Sequence, residues 1–288
     1  MVMLMSVGVV CAKLGLIDEA SNKKLANIVL FLLGPTVMFL SYQRPFEAEL
    51  AWQLLLTVGL ATLTFGIAFA LSHVVYARRK GHGVDIFASI YPNSGFIGIP
   101  LLQGIFGYES IFFSSIYMGV FVFFMWTHGV YVVGGGISMK QLRKTMTAAP
   151  MMSVFIGVSF FLLGIEVPEI VYAPMRLLAN ANVPMAMIAA GVIISGADIG
   201  RLIRNRRAYF ACFMRLILIP LIMIFLFSFI EIPALVAGTI IVATACPSAV
   251  NLVFFAQRFD GDVNHAADTL ALSTILSMAT IPMVLMFI

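Results

Sequence analysis

The sequence predicts an all-α integral membrane protein of ten transmembrane spans, built as two inverted five-helix halves with interrupted helices at spans 4 and 9. Three observations predict it. First, 61% of the 288 residues are hydrophobic and only 10% are charged, against about 45–50% and about 25% in a soluble domain. No single water-soluble core of this size hides so much apolar surface, which excludes a soluble enzyme, a secreted factor and a nucleic-acid binder. Second, charge-poor runs of roughly 20 residues recur along the chain, the length a helix needs to cross about 30 Å of hydrocarbon. Third, proline, asparagine and serine cluster inside two of these runs, about half a chain apart.

The runs cover 25–43, 50–72, 86–108, 110–139, 145–165, 177–197, 232–257 and 269–288, and 208–230 is a ninth interrupted only by Arg215. The run 1–12 makes a tenth that is too short to span, so it reads as a truncated or partly missing first helix. It lacks the charged start and small-residue cleavage site of a signal peptide. Cys11, Cys212 and Cys246 all lie in apolar stretches with no paired metal-ligand spacing, and read as small buried hydrophobes.

The basic residues set the orientation. Odd-numbered loops and the helix ends beside them hold Lys13, Lys23, Lys24, Arg78, Arg79, Lys80, Lys140, Arg143, Lys144, Arg201, Arg204, Arg206, Arg207 and Arg258. Even-numbered loops hold only Arg44 and Arg176. Positive residues concentrate on the cytoplasmic side, so the odd loops are cytoplasmic and both termini face outward. The same bias accounts for the net charge of +4 without a nucleic-acid partner.

Ten spans divide into five and five, residues 1–139 and 145–288. An odd number of crossings per half turns the second half over, as in many secondary transporters. Tyr91-Pro-Asn-Ser-Gly95 in span 4 and Ala245-Cys-Pro-Ser-Ala249 in span 9 stand at corresponding places, Pro92 and Pro247 being 155 residues apart. Proline removes a backbone donor and clashes with the preceding turn, and Pro92, Gly95, Gly98, Pro100 and Gly104 together are poor material for a continuous helix. Broken backbone at membrane depth persists only where protein buries it or a polar cavity runs beside it. Half-helix N-termini suit a carboxylate, and freed carbonyls suit a cation. Pro92, Asn93, Ser94, Gly95, Pro247, Ser248 and Asn251 are therefore the candidate substrate-binding residues.

Arg215 is a charge inside a span, which costs about 2.5–3.5 kcal/mol on insertion scales. Anchoring by snorkelling and contact with substrate or gate are both open for it. His128, deep in span 5, is a candidate proton carrier or a packed hydrogen-bonding residue, and Asp268, one turn into span 10, is a second candidate. Ser273, Thr274 and Ser277 either face a cavity or bond back to their own helix. Asp198 and the other histidines, His73, His82 and His265, sit near span ends, and the histidines show no metal-ligand spacing.

These residues resemble a known family. Pro92-Asn-Ser-Gly-Phe-Ile-Gly-Ile-Pro-Leu-Leu102, followed by Phe106-Gly107, is similar to the helix 4 motif of the auxin efflux carriers, which include plant PIN-type carriers and bacterial permeases. Cys246-Pro-Ser-Ala-Val-Asn-Leu-Val-Phe-Phe-Ala256, Ser273-Thr-Ile-Leu-Ser-Met-Ala-Thr-Ile-Pro282 and Arg215-Leu-Ile-Leu-Ile-Pro220 resemble its helix 9, 10 and 8 signatures. The likeness runs in order from about Gly8 to the end. The link between spans 5 and 6 is short, so the chain resembles the compact prokaryotic type, in the plasma or inner membrane.

The resemblance implies the architecture of bile-acid sodium symporters and NhaA-like exchangers. Helices 1, 2, 6 and 7 would form a scaffold, which is also the candidate surface for a homodimer, and helices 3–5 and 8–10 a moving transport domain. Pro92 and Pro247 would mark the crossing of helices 4 and 9, with Asn93 beside the substrate, and the motion would be that of an elevator. Substrates of the family are organic anions, including auxin and dicarboxylates such as malate or malonate. No cofactor is implied, and coupling to sodium, to protons or to neither is open; no carboxylate lies at the crossing itself. Rival readings are a sodium-coupled bile-acid-type symporter and a channel or sensor on the same fold. A membrane-embedded enzyme is not favoured, because neither an HExxH motif, an aspartate pair nor a Ser–His arrangement at plausible spacing is present.

Overall fold

The computed structural model describes residues 2–76, 81–134, 136, 146–196 and 199–288. The basic clusters 78–80 and 140–144, and Asp198, lie outside them. Among the described residues the structure is helical, with one isolated antiparallel bridge. In chain order the helices are α1 (Val2–Lys13), α2 (Glu19–Leu40), α3 (Ala48–Tyr76), α4 (Gly83–Ile90), α5 (Ser94–Phe106), α6 (Glu109–Gly134) and α7 (Ala149–Leu163). They continue with α8 (Glu169–Ser195), α9 (Ile199–Arg204), α10 (Arg206–Phe227), α11 (Ala234–Ala245), α12 (Asn251–Arg258) and α13 (Val263–Leu285).

Six of these, α2, α3, α6, α8, α10 and α13, are long and apolar enough to cross a membrane. Several extend beyond the charge-free runs of the sequence. Helix α8 begins at Glu169 and carries Arg176 within it, and α13 begins at Val263, ahead of Asp268. A charge is tolerated in the end turns, so a charge-free window underestimates helix length. The outer surface confirms the solvent: Trp52, Leu55, Ile170, Phe225 and Phe287 are each more than half exposed. Water would penalise that surface and lipid does not.

Proline shapes the helices as well as ending them. The residues just before Pro35, Pro100 and Pro220 bond five residues back: Gly34 N–H to Val29, Ile99 N–H to Ser94 and Ile219 N–H to Met214. The ring of each proline displaces the carbonyl four residues before it, and the turn widens to π-helical spacing, a feature frequent at functional positions. One such turn opens α5 and another holds Arg215.

Hydroxyls inside the apolar helices satisfy themselves locally. Thr57, Thr64, Ser89, Ser115 and Thr274 each donate to the carbonyl four residues earlier, as a hydroxyl must where no water reaches it. Helices α1 and α8 touch backbone to backbone. A Cβ added at Gly8 would stand 2.1 Å from the Ile188 carbonyl oxygen, and one at Gly191 would stand 2.0 Å from that of Met5. Only glycine permits this approach. Phe96 and Ile97, at the start of α5, pack into the apolar cluster of this part of the molecule with Ala186, Met187 and Ala190 of α8.

Candidate functional site

Two interrupted segments meet at the centre. Helix α4 ends at Ile90 and α11 at Ala245. Tyr91 and Cys246 follow, each extended and each preceding a proline (φ −98°, ψ 110° and φ −61°, ψ 150°). The proline ring forces that geometry, because it excludes the helical region for the residue before it. The two extended pieces lie antiparallel, with Pro92 paired against Ser248. Asn93 N–H donates to the Pro247 carbonyl at 2.6 Å, and Ala249 N–H to the Tyr91 carbonyl at 2.9 Å. The prolines thus break both helices and leave carbonyls free for a short ladder between them.

Arg215 caps the C-terminal side of this crossing. It is 1% exposed. Its Nε donates to the Cys246 carbonyl at 3.1 Å, and its Nη1 to the carbonyls of Ile90 at 2.8 Å and Ser89 at 3.3 Å. Nη2 donates to the Thr244 carbonyl. The guanidinium fork therefore satisfies the orphan carbonyls at the ends of α4 and α11 together and sets a fixed positive charge against both negative helix ends. Side chains tie the crossing further: Ser248 Oγ donates to the Ala88 carbonyl at 2.9 Å, and Ser248 N–H donates to Ser273 Oγ at 3.1 Å.

The N-terminal side is different. Helix α5 starts at Ser94, where the N–H groups of the first turn have no acceptor within the helix; at the start of α12 the Leu252 and Val253 N–H groups donate to the Ala249 and Val250 carbonyls at 3.0 and 3.3 Å. A small cavity lies beside them, lined by Asn93, Phe96, Ile97, Val250, Leu270 and Thr274, and closed by Ala190 and Ile193 of α8. Asn93 is 6% exposed. Its side chain makes no cap hydrogen bond and has no other partner among the described residues, so the carboxamide is free to take a ligand.

The remaining candidates sit elsewhere. Pro92 and Pro247 form the crossing and are not cavity walls. Ser94 turns away from the cavity and donates to the Met118 sulfur at 3.1 Å. Gly95 gives Met118 room, since a Cβ there would meet its Cε at 2.7 Å. Asn251 opens α12 and is half-buried. Ser277 bonds back to Thr274. His128 stacks on Phe69 at 4.2 Å, and its Nδ1 lies 2.8 Å from the Tyr91 hydroxyl.

Asp268 belongs to a buried polar cluster that no local sequence pattern announces. It accepts from Arg201 Nε at 2.6 Å and from Asn205 Nδ2 at 3.1 Å. Asn205 Nδ2 also lies 3.1 Å from His265 Nδ1, while Asn205 Oδ1 accepts from Ala208 N–H. The amide nitrogen can only donate, so His265 Nδ1 is an acceptor and its Nε2–H donates to Asp85 Oδ1 at 2.7 Å. Asp85, 1% exposed, is also held by Arg207 at 2.7 Å and by His82 at 2.5 Å. One carboxylate thereby joins the starts of α4, α10 and α13. Partners 60 to 180 residues apart in sequence carry no local signal. Among the described residues no histidine, cysteine or carboxylate cluster suits a metal ion.

The family model described as "Membrane transport protein" matches residues 1–135 and 130–285. The chain belongs to this family, that of the auxin efflux carriers. It is a multi-pass membrane transporter. As a member of the auxin efflux carrier family it is 24% identical over 288 residues to an uncharacterized transporter of Methanothermobacter thermautotrophicus (strain ATCC 29096 / DSM 1053 / JCM 10044 / NBRC 100330 / Delta H), covering 97% of this chain and 93% of that one. It is 24% identical over 289 residues to an uncharacterized transporter of Methanocaldococcus jannaschii (strain ATCC 43067 / DSM 2661 / JAL-1 / JCM 10045 / NBRC 100440), covering 96% and 93%. In this transporter the unpartnered Asn93 side chain and the start of α5 lie on one side of the crossing, and the Arg215 cation on the other.

Proposed function

We propose that the protein is a secondary transporter for a small organic anion, working by alternating access of the elevator type. One observation carries the reading: Asn93, whose carboxamide has no partner among the described residues, lines a small cavity beside the start of α5. The N–H groups and positive helix end there attract an anion. Arg215 adds a fixed charge nearby, so the crossing repels cations.

In this reading the chain crosses the membrane ten times, α4–α5 and α11–α12 each counting as one interrupted pass, with five passes per inverted half. Helices α1, α2, α7 and α8 form the scaffold. Helices α3 to α6 and α10 to α13 carry the substrate, and α9 is the link between the two domains. The cavity lies on that boundary, since Ala190 and Ile193 come from α8 and its other walls from the moving side. Both termini face outward, following the basic residues. A homodimer would form through the scaffold.

The carbonyls at the ends of α4 and α11 are those a coupling sodium would use in a discontinuous-helix transporter. Arg215 already engages them, which favours a sodium-independent carrier over a bile-acid-type symporter. The test is counterflow in proteoliposomes with a panel of radiolabelled carboxylates, with and without sodium and pH gradients. Saturable exchange that persists without sodium supports the reading. Conductance far above transporter rates, or no flux of any carboxylate, would overturn it.

A further inference from the structure

We propose that the polar cluster around His265 is a proton-operated latch: it holds the link helix α9 against the transport domain while His265 is neutral and releases it when the ring takes a proton. The latch acts on the motion and is indifferent to the cargo; only the part given to α9 rests on the elevator reading. His265 is 4% exposed, and both ring nitrogens are engaged in fixed roles. Nδ1 accepts from Asn205 Nδ2 at 3.1 Å, and Nε2–H donates to Asp85 Oδ1 at 2.7 Å. Asn205 is the corner between α9 and α10, and its amide is fully used. Nδ2 also donates to Asp268 Oδ2 at 3.1 Å, and Oδ1 accepts from the Ala208 N–H at 3.2 Å, which caps α10. Arg201 of α9 donates to the other Asp268 oxygen at 2.6 Å. Helix α9 is thus fastened to α13 through Asn205, Arg201 and Asp268.

A proton on Nδ1 breaks this arrangement. The nitrogen becomes a donor, and it faces an amide nitrogen that can only donate. Turning the amide does not repair the clash, because it strips the cap from Ala208 and sets an oxygen against Asp268. Asp268 lies one turn along α13 from His265, so its carboxylate is the acceptor within reach on the same helix, and taking the new N–H frees Asn205. By either route the α9–α10 corner parts from α13. The surrounding charges act on the ring in both senses. Asp85, Asp268 and Asp262, whose side chain accepts the His265 backbone N–H at 3.0 Å, favour the imidazolium. Arg207 on Asp85 and Arg201 on Asp268 oppose it. His82 holds the second Asp85 oxygen at 2.5 Å, with Tyr76 of α3 stacked on it at 5.5 Å. Cys212 of α10 is turned to the Thr269 carbonyl, and Arg258 of α12 lies over Phe259; the basic residues 78–80 lie outside the described residues. The Arg201 and Arg207 side chains are 47% and 46% exposed, so water on the basic-loop face reaches the edge of the cluster and delivers the proton.

The experiment uses the full-length protein in lipid nanodiscs, scanned from about pH 8 to 5, the range in which histidine changes charge. One sample carries isotope-labelled histidine nitrogens for magnetic resonance. A second carries nitroxides at the exposed positions Ile203→Cys on α9 and Gln257→Cys on α12, in a Cys11→Ala background, for electron-spin distances. At the high end the His265 signal, identified by its loss in His265→Gln, should be that of a ring protonated at Nε2 alone. The nitroxide distance should lengthen or broaden at the pH where His265 gains its second proton. His265→Gln keeps one donor and one acceptor and cannot be charged, so its distance should stay at the high-pH value throughout. His265→Lys, a donor only, should show the released distance throughout, and His82→Gln should leave the transition in place. A His265 that stays neutral to the low end, a distance that does not follow its titration, or a transition that survives in His265→Gln would overturn the latch. None of these readouts depends on flux, so failure of the latch is distinguishable from failure of the transporter reading.

Discussion

Nη1 of Arg215 lies 2.8 Å from the carbonyl oxygen of Ile90, and the same guanidinium reaches the Cys246 carbonyl at 3.1 Å. One side chain from α10 thus closes the ends of two helices that belong to different halves of the chain. Its burial is compensated by carbonyls rather than by a carboxylate, which leaves the local charge positive.

Removing that cap should unfold the crossing. Arg215→Gln leaves most of these carbonyls without a donor, at about 1–3 kcal/mol for each buried orphan. Arg215→Lys keeps the charge but loses the planar fork, so it recovers only part of the loss. The expected order of melting temperature in detergent is wild type, then Lys, then Gln. A thiol-reactive dye reads it, because Cys212 and Cys246 are buried until the protein unfolds.

Asn93→Ala should behave in the opposite way. The carboxamide has no protein partner, so its loss costs stability no more than the typical surface change, about 0.5 kcal/mol, while transport falls at least tenfold. Asn93→Asp should abolish transport by placing a negative charge where the anion binds. A melting curve and a counterflow rate on the same preparation decide it; equal losses of fold and flux would show that Asn93 is structural.

Gly191→Leu should pry α1 from α8. Its Cβ alone would stand 2.0 Å from the Met5 carbonyl oxygen, and backbone cannot yield as a side chain does. The cost should reach or exceed the about 1–3 kcal/mol usual for overpacking. Gly59→Leu, where nothing lies within 4 Å, is the matched control and should melt near the wild type.

Asp85→Asn should loosen the join between α4, α10 and α13. It removes the charge that Arg207 faces and presents an amide donor to the His265 Nε2–H unless the side chain turns. Breaking a buried charged pair costs about 3–5 kcal/mol, and the half-exposed Arg207 places this case at the lower end. Hydrogen exchange at the first turns of α4 and α13 should rise, with little change at α1 and α8.

The membrane class, most helical segments and both breaks were legible in the sequence, because each depends on near neighbours. Hydropathy is a sum over a window, and proline acts on its own turn and on the residue before it. Pro92 and Pro247 therefore announced where α4 and α11 stop. Helix ends were less legible at Glu169 and Val263, where charges sit in terminal turns that the bilayer core does not reach. The proposed site divides in the same way. Asn93 was visible from its place after Pro92, whereas Phe96, Ile97, Val250, Leu270, Ala190 and Ile193 look like any other apolar residues in a membrane helix.

By itself, then, the sequence determined the solvent this chain lives in and the places where its backbone must open. The tertiary structure alone decided what meets each opening: Arg215 on the carbonyl side, a small apolar pocket on the amide side, and Asp85 with His265 at the helix starts. The reason is range. Chain breaks are set by steric clashes a few bonds long, while the partner of a freed carbonyl or a buried carboxylate comes from wherever the folded chain returns, up to 180 residues away.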